Sequence, residues 1–305
     1  MQRLEGEVFT YARIDRRDLT LREGATEESF GFDRIVKTAR YYEGPTWATV
    51  PAIRAASPFP VSSYRQLVQI VAHLASGNRL HTLLFRGQKS DYKDSNGRSV
   101  LYPTLFRPEP GQKLVRATRI RRRVSELRFA RRRVMQNRVG LELHVRLHNH
   151  PESPIALLQH YEICPTPYLD VTQSLRVASS IALMGAKEGF VFVLAFPHPH
   201  ASISHFVDHE TVLIKLLSVC PYRALRPHFQ EGYLVGRYPW NATKEAGDNA
   251  ANRLVAKLHL DNTRGRFWSR EFSPVPTEAL LPGNDPFGRG LRSLFPPAWR
   301  EDVDV

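Results

Sequence analysis

Arg86 is the residue of this chain whose type and setting most clearly suit chemistry. It ends the apolar run Leu83–Phe85 and is followed by Gly87 and Gln88, with no acidic residue within four positions on either side. A planar guanidinium matches phosphate and carboxylate groups, and a glycine lets the backbone approach a ligand closely. The pattern predicts a site for an anionic ligand such as a phosphate. The alternative is a strand end that carries a surface arginine.

Two further polar signatures stand at the edges of predicted strands. Asp170 and Thr172 alternate with apolar residues, and Gln230 and Glu231 directly precede Gly232. Carboxylate, amide and hydroxyl groups can hydrogen-bond a sugar or stabilise charge that develops during a reaction. These four residues therefore join Arg86 as candidates for a site.

Seven of the twelve histidines lie in two clusters, neither of which fits a metal site. His144 and His148 lie four positions apart, but no carboxylate motif accompanies them. The second cluster sits among prolines and serines and comprises His198, His200, His205 and His209. A zinc site needs three or four rigidly held ligands. Both clusters favour surface loop, and we expect no metal.

The basic charge of the chain is concentrated in one segment. The formal net charge is +13, and between positions 116 and 138 ten arginines accompany one acid, Glu126. Apolar residues recur there at helical spacing from Val115 to Met135, which predicts an amphipathic helix. So many like charges repel one another and favour an anionic partner, although a solvated helix face is the alternative. The contacts expected with nucleic acid or an acidic protein are Arg121, Arg122, Arg123, Arg131, Arg132 and Arg133.

Length and composition indicate a globular protein with one large domain. The 305 residues can bury a sizeable core, and the 42% hydrophobic and 24% charged fractions are ordinary. We predict a leader or small extension over residues 1–58, a domain over 59–294 and a tail over 295–305.

The chain carries no sequence signal for export or membrane insertion. No segment reaches the roughly 18 apolar residues of a membrane span, and the N-terminus lacks the apolar core of a signal peptide. Cys164 and Cys220 are the only cysteines, which excludes a disulfide framework. We expect a reducing, cytoplasmic setting and no membrane partner, although delivery by a machine that needs no signal peptide stays open.

Hydrophobic periodicity predicts helices and strands in mixed order. Helices are expected over residues 64–75, 115–135, 155–161 and 174–184, with a helical or turn segment over 276–281. Strands are expected over residues 7–12, 81–85, 168–172, 189–196, 212–219 and 253–260, and another follows a turn at 226–232. Since the two kinds of element neither alternate strictly nor segregate, we expect an α+β fold with a mixed sheet core and flanking helices.

These residues and their order resemble the FRG domain family, over about residues 60–294. The family is named for Phe-Arg-Gly, which stands here at residues 85–87 within an FRGQ stretch. The family's Leu-Gln-His-Tyr-Gly and Pro-Thr-Arg-Leu-Leu-Asp-Trp-Thr blocks are matched by residues 158–162 and 165–172. Its alanine-rich helix, Arg-Pro block and Gln-x-Gly block are matched at 177–182, 226–227 and 230–232.

Three positions depart from the family pattern. Glu162 replaces a glycine, Pro167 an arginine and Val171 a tryptophan. Such changes indicate either a diverged substrate or a protein that has lost activity.

The resemblance implies an ADP-ribosyltransferase-like fold with NAD as the substrate. FRG domains are similar to ADP-ribosyltransferases, in which an arginine, a Ser or Thr and a Glu or Gln on successive strands hold NAD. By position, Thr172 would support the nicotinamide-side ribose, and Gln230 or Glu231 would stand beside the scissile bond. The residues implied to bind NAD are Arg86, Gly87, Gln88, His160, Tyr161 and Asp170.

The implied function is that of a bacterial toxin or anti-phage defence effector that cleaves nicotinamide from NAD and modifies a macromolecule. A cognate antitoxin or immunity protein is then an expected partner. The alternative is a non-catalytic FRG module that binds nucleic acid or an acidic partner through the arginine helix. Each site residue also has a structural alternative: Arg86 can pair with Asp170, His160 can bond core backbone, Thr172 can cap a helix and Gln230 can support a turn.

Overall fold

The computed structural model describes residues 1–15, 41–109, 112, 115–137, 150–237 and 249–296. Its strands are β1 (Glu7–Asp15), β2 (Tyr41–Thr49), β3 (Phe59–Val61), β4 (Thr82–Gln88), β5 (Tyr168–Thr172), β6 (Glu188–Phe196), β7 (Ile203–Phe206), β8 (Thr211–Lys215), β9 (Gly232–Gly236) and β10 (Leu254–Asp261). Its helices are α1 (Val50–Ala55), α2 (Tyr64–Gly77), α3 (Ala117–Gln136), α4 (Glu152–His160), α5 (Leu175–Ala182), α6 (Leu216–Val219), α7 (Leu225–Phe229), α8 (Thr277–Leu280) and α9 (Pro286–Ser293). Within the described ranges no helix combines the length and apolar character that a membrane crossing requires.

Eight of the described strands form one mixed sheet, and β1 pairs with β2 in a separate antiparallel ribbon. The order is β3-β10-β6-β4-β5-β9-β8-β7, with β3 parallel to β10 and the other neighbours antiparallel. The α+β class is therefore confirmed. Strand β4 pairs with β6 along its whole length but with β5 only where Phe85 meets Thr172.

Successive side chains along the strands point to opposite faces of the sheet and pack into two different hydrophobic cores. Leu169 and Val235 belong to the core that includes α2 and β1, whereas their neighbours Tyr168 and Leu234 belong to the core that includes α3 and α4. This alternation is the two-residue period of strands that are buried on both faces.

Helix α5 packs on the sheet through two glycines. A Cβ atom at Gly87 would lie 2.0 Å from the carbonyl oxygen of Ala178, and one at Gly189 would lie 2.4 Å from that of Ala182. Only glycine leaves room for the helix backbone there. The glycine beside Arg86 thus admits a helix close to the strand.

The described part of the predicted leader packs on the sheet. The Thr10 hydroxyl donates a hydrogen bond to the Val255 carbonyl, and the Asn78 amide at the end of α2 bonds both backbone groups of Phe9. Residues 16–40 lie outside the described ranges, and the domain boundaries stay predictions.

Helix α3 confirms the predicted arginine helix, but other segments differ from the prediction, and α1, β2, β3 and β7 have no counterpart in it. The predicted strand 212–219 is wrong beyond Lys215, because a helical turn places Leu216 and Val219 in the same core, whereas a strand would point them apart. The turn predicted at 226 is part of α7, and α9 has no counterpart in the prediction. Asp285 caps α9 by accepting from the Gly288 amide at 3.1 Å.

Candidate functional site

A cleft of about 350 Å³ opens where β4 and β5 part. The two strands share one register pair, so their edges are free to diverge beyond it. Side chains of α5 and α7 form further parts of the wall. Seven of the nine residues that the resemblance implies for catalysis or NAD binding line this cleft: Arg86, Gly87, Gln88, His160, Asp170, Thr172 and Gln230.

Arg86 presents a positive charge to the cleft. Its Nη1 donates to the main-chain carbonyl of Asp170 at 2.6 Å, and its Nε is buried without a hydrogen-bond partner. Burial lowers the pKa of Arg86 to about 10, although the Asp170 carboxylate nearby acts in the opposite direction. The guanidinium therefore stays charged at neutral pH. The alternative in which Arg86 forms a salt bridge with the Asp170 carboxylate is therefore not observed.

The Asp170 carboxylate orients His160. Its Oδ1 lies 3.1 Å from His160 Nδ1, and its Oδ2 accepts from Gln159 Nε2 at 2.6 Å. Burial alone would raise the pKa of Asp170, but the bonds from His160 and Gln159 and the charge of Arg86 outweigh it and lower the pKa to about 2. An ionised carboxylate only accepts hydrogen bonds, so His160 carries its proton on Nδ1. In the neutral ring, Nε2 then offers a lone pair, as in a catalytic His–Asp pair.

A second guanidinium, that of Arg226, also lines the cleft. Its Nη2 donates to Glu162 Oε1, and its Nε is buried without a partner. Glu162 has a left-handed backbone with φ of 55°, directly after the end of α4. Glycine is favoured at that position of a helix end, which gives a structural reason for the family's glycine. Arg226 belongs to the Arg-Pro block of the sequence, but its sequence context gives no sign that it lines a site.

Four cleft residues each carry a buried polar atom that has no hydrogen-bond partner. Buried polar atoms in proteins are nearly always paired, so a cluster of exceptions indicates a place where a ligand supplies the missing bonds. Two of the atoms are arginine nitrogens that can donate a hydrogen bond, and the other two, on a glutamine and a histidine, can accept one. The four atoms are Arg86 Nε, Gln88 Oε1, His160 Nε2 and Arg226 Nε.

Thr172 and Gln230 stabilise the cleft wall through backbone contacts. The Thr172 hydroxyl donates to the Gln230 and Glu231 carbonyls at 2.8 and 3.1 Å and accepts from the Ser174 amide at 3.0 Å. Gln230 Nε2 donates to the Leu280 carbonyl at 2.7 Å. The one hydroxyl proton of Thr172 is therefore engaged within the protein. The amide oxygen of Gln230 is the group of this pair that remains for a sugar hydroxyl.

Tyr161 and Glu231 are not among the residues that line the cleft. Tyr161 is buried in the core, where its hydroxyl donates to Asp285 Oδ2 at 2.6 Å. Burial and this bond raise the pKa of Tyr161. Glu231 is exposed in a left-handed turn with φ of 46°. Neither residue is placed by the structure to contact a ligand held by Arg86.

Helix α3 divides its arginines between the protein body and solvent. Arg123 donates to the Leu105 and Arg107 carbonyls, and Arg133 donates to the Leu294 carbonyl, so these two fasten the helix to the body. Arg122 pairs with Glu126 at 2.8 Å. On the exposed face of the helix, Arg121, Arg128 and Arg132 recur at helical spacing.

In the described part of the chain, no three His, Cys, Asp or Glu side chains converge to hold a metal. The histidines of the second cluster have separate roles: His198 Nδ1 bonds the Thr82 hydroxyl at 2.8 Å, and His205 pairs with Glu152 at 3.1 Å. His144 and His148 lie outside the described residues.

Comparison of this chain with known protein families, with curated proteins and with solved structures finds no match. The likeness to FRG domains therefore depends on the sequence blocks quoted above and on no wider similarity.

Proposed function

We propose that this chain is an ADP-ribosyltransferase-like enzyme that cleaves nicotinamide from NAD and transfers ADP-ribose to a macromolecular acceptor. The observation that carries the proposal is a single cleft that holds two guanidiniums with unpartnered nitrogens, Arg86 and Arg226, beside the oriented His160. Guanidinium forks match the oxygens of a pyrophosphate. The positive charges of the two arginines suit an anionic substrate, and His160 can accept a proton from the nucleophile that attacks it.

In this proposal the reaction exchanges one bond at the ribose C1′ atom. The bond to the nicotinamide nitrogen breaks, and its electron pair leaves with nicotinamide and neutralises the pyridinium charge. An acceptor oxygen or nitrogen bonds to C1′ and gives its proton to His160 Nε2, whose ring is held by Asp170. Gln230 is assigned to the ribose hydroxyls, where an amide oxygen stabilises the positive charge that develops on the sugar.

The biological role proposed is that of a toxin or anti-phage defence effector. The net charge of +13 favours a nucleic acid or an acidic protein as acceptor. An acidic antitoxin or immunity protein would bind the same basic surface and restrain the activity.

Nicotinamide release by the purified chain tests this proposal, with R86A and Q230A beside the wild type. We expect R86A to reduce release at least 100-fold and Q230A at least tenfold, with circular dichroism showing both variants folded. Arg79 is an exposed arginine outside the cleft, and R79A is the matched control, expected to be fully active. Equal release by R86A and wild type would show that the roles are wrongly assigned.

A second candidate function is nucleic-acid binding through α3, and the exposed arginine stripe favours it. Such binding weakens steeply with salt, because phosphate contacts release counterions. We expect the R121Q/R132Q double variant to lower the slope of log affinity against log salt by roughly 2. R123Q serves as a contrast, because Arg123 bonds the body and its loss should lower stability instead. Binding that is equally tight in R121Q/R132Q and wild type would exclude this surface.

A further inference from the structure

A second cavity, of about 620 Å³, lies at the other end of β4 from the cleft. The N-terminal residues, the end of α2 and the turn at residues 207–209 form its walls. On β6, Ala195 lies opposite Leu83, whereas Val191 lies opposite Gly87 in the cleft wall. The step of four residues along β4, from Leu83 to Gly87, spans about 13 Å. The cavity and the cleft are therefore distinct sites.

Arg253 lines this cavity and is 1% exposed. Its Nε donates to the Ala195 carbonyl at 2.9 Å, and its guanidinium carbon lies 5.7 Å from the centre of the Phe196 ring. Both terminal nitrogens, Nη1 and Nη2, are buried without a hydrogen-bond partner in the described chain. Burial lowers the pKa of Arg253 to about 10, which leaves the group charged at neutral pH.

The backbone fixes Arg253 in this position. It ends the turn Ala250–Arg253, which Asn249 caps by accepting from the Ala251 amide at 3.0 Å, and it directly precedes β10. Leu254, the first residue of that strand, is fully buried. A buried cation that lacks a counterion is costly to a fold unless something else satisfies it.

The remaining cavity residues suit a ligand with an anionic end and a flat apolar part. His81, His209 and Arg79 add positive or hydrogen-bonding groups, while the acids Glu5, Glu7 and Asp208 also line the wall. Trp47 is 46% exposed and Leu80 is 84% exposed, so the same cavity offers an aromatic ring and an apolar side chain to its occupant. A volume of this size accommodates a small organic molecule.

We infer that this cavity binds a phosphorylated small molecule of nucleotide type, with the phosphate on Nη1 and Nη2 of Arg253 and the base against Trp47. The two terminal nitrogens of a guanidinium bind two oxygens of one phosphate group. This site does not depend on the proposed NAD chemistry, because it shares no residue with the cleft.

Calorimetric titration of the full chain with AMP tests the inference, with adenosine as the probe that lacks the phosphate. The titrations are run on wild type, R86A, R253M and R65M. We expect wild type to bind AMP at least tenfold more tightly than adenosine, and R253M to lose at least tenfold in AMP affinity. R86A removes one of the two cleft arginines and should still bind AMP here. Arg65 is exposed and lines neither the cavity nor the cleft, so R65M should change the affinity less than threefold.

Several outcomes would overturn the site. They are unchanged AMP affinity in R253M, loss of AMP binding in R86A with retention in R253M, and no binding of AMP or inorganic phosphate by wild type at millimolar concentration. If R253M does not fold, R253K replaces it, since lysine keeps the charge but lacks the paired nitrogens. A folded R253K with wild-type AMP affinity would contradict the inference equally.

Discussion

The two ends of β4 each hold a buried guanidinium, but only one of them is supported by other polar groups. Arg86 donates to the Asp170 carbonyl and lies beside an ionised carboxylate that Gln159 and His160 also bond. Within the described residues, Arg253 makes one hydrogen bond, to the Ala195 carbonyl, and forms no ion pair with an acid. A supported cation forms a site that is organised before any ligand arrives, as catalysis requires. An unsupported one lowers the stability of the fold unless another group satisfies it.

The largest effect should come from breaking the support at the cleft end, through D170N. An asparagine amide can donate to His160 Nδ1, which would shift the ring proton to Nε2 and remove the base from the cleft. We expect nicotinamide release to fall roughly 1,000-fold. R253M changes the other end of β4 and is expected to keep full nicotinamide release. Activity of D170N within threefold of wild type would show that the His160–Asp170 pair has no catalytic role.

Stability should respond strongly to packing at the cleft end of β4. The Cβ of G87A would meet the Ala178 carbonyl at 2.0 Å, so we expect a loss of about 3 kcal/mol in the free energy of unfolding, measured with urea. Gly290 in α9 has open space around it and is the matched control, with an expected gain of up to about 1 kcal/mol for G290A. Wild-type stability of G87A would mean that α5 does not pack on β4 as described.

Removing the charge at each end should change stability in opposite directions. R86M loses a charged hydrogen bond and leaves Asp170 with less support, and we expect it to lower the free energy of unfolding by about 2 kcal/mol. R253M removes an unsupported cation, and we expect it to raise that energy by about 1 kcal/mol in the absence of ligand. Denaturant melts of the two variants measure both values. If R253M lowered the free energy of unfolding as much as R86M, the expected difference between the two ends of β4 would be contradicted.

The smallest effect concerns Glu162, which combines a left-handed backbone with an ion pair to Arg226. E162G relieves the backbone but loses a pair whose carboxylate side chain is 65% exposed, so we expect a net gain of about 0.5 kcal/mol. Glu188 is an exposed glutamate in β6, and E188G should cost about 0.5 kcal/mol instead. Equal losses in the two variants would show that φ at Glu162 carries no strain.

Sequence periodicity predicted the elements around the cleft because their apolar patterns are long and regular. Helix α3 and strand β6 follow from spacing alone, and the motif blocks brought Arg86, His160 and Asp170 to one place. Adjacent residues at the end of a helix point in different directions, so His160 reaches the cleft while Tyr161 enters the core. A sequence motif does not show in which direction each of its side chains points.

Other features had no local signal. Arg226 and Arg253 are ordinary in sequence, and only the tertiary structure shows that one lines the cleft and the other lines the second cavity. Helix α9 has a local start signal in Asp285 and the proline that follows it, but its two glycines argue against a helix. The burial of Leu291, which the local sequence does not show, adds to its stability. Long-range packing decides such positions, and it is invisible in a window of neighbouring residues.

The most direct test of the central claim is nicotinamide release from NAD by wild type, R86A and R253M in one assay. The account predicts release by wild type and R253M at similar rates and at least 100-fold less release by R86A, with all three folded. Release that survives in R86A, or that is lost in R253M and not in R86A, would contradict the assignment of NAD cleavage to the cleft between β4 and β5.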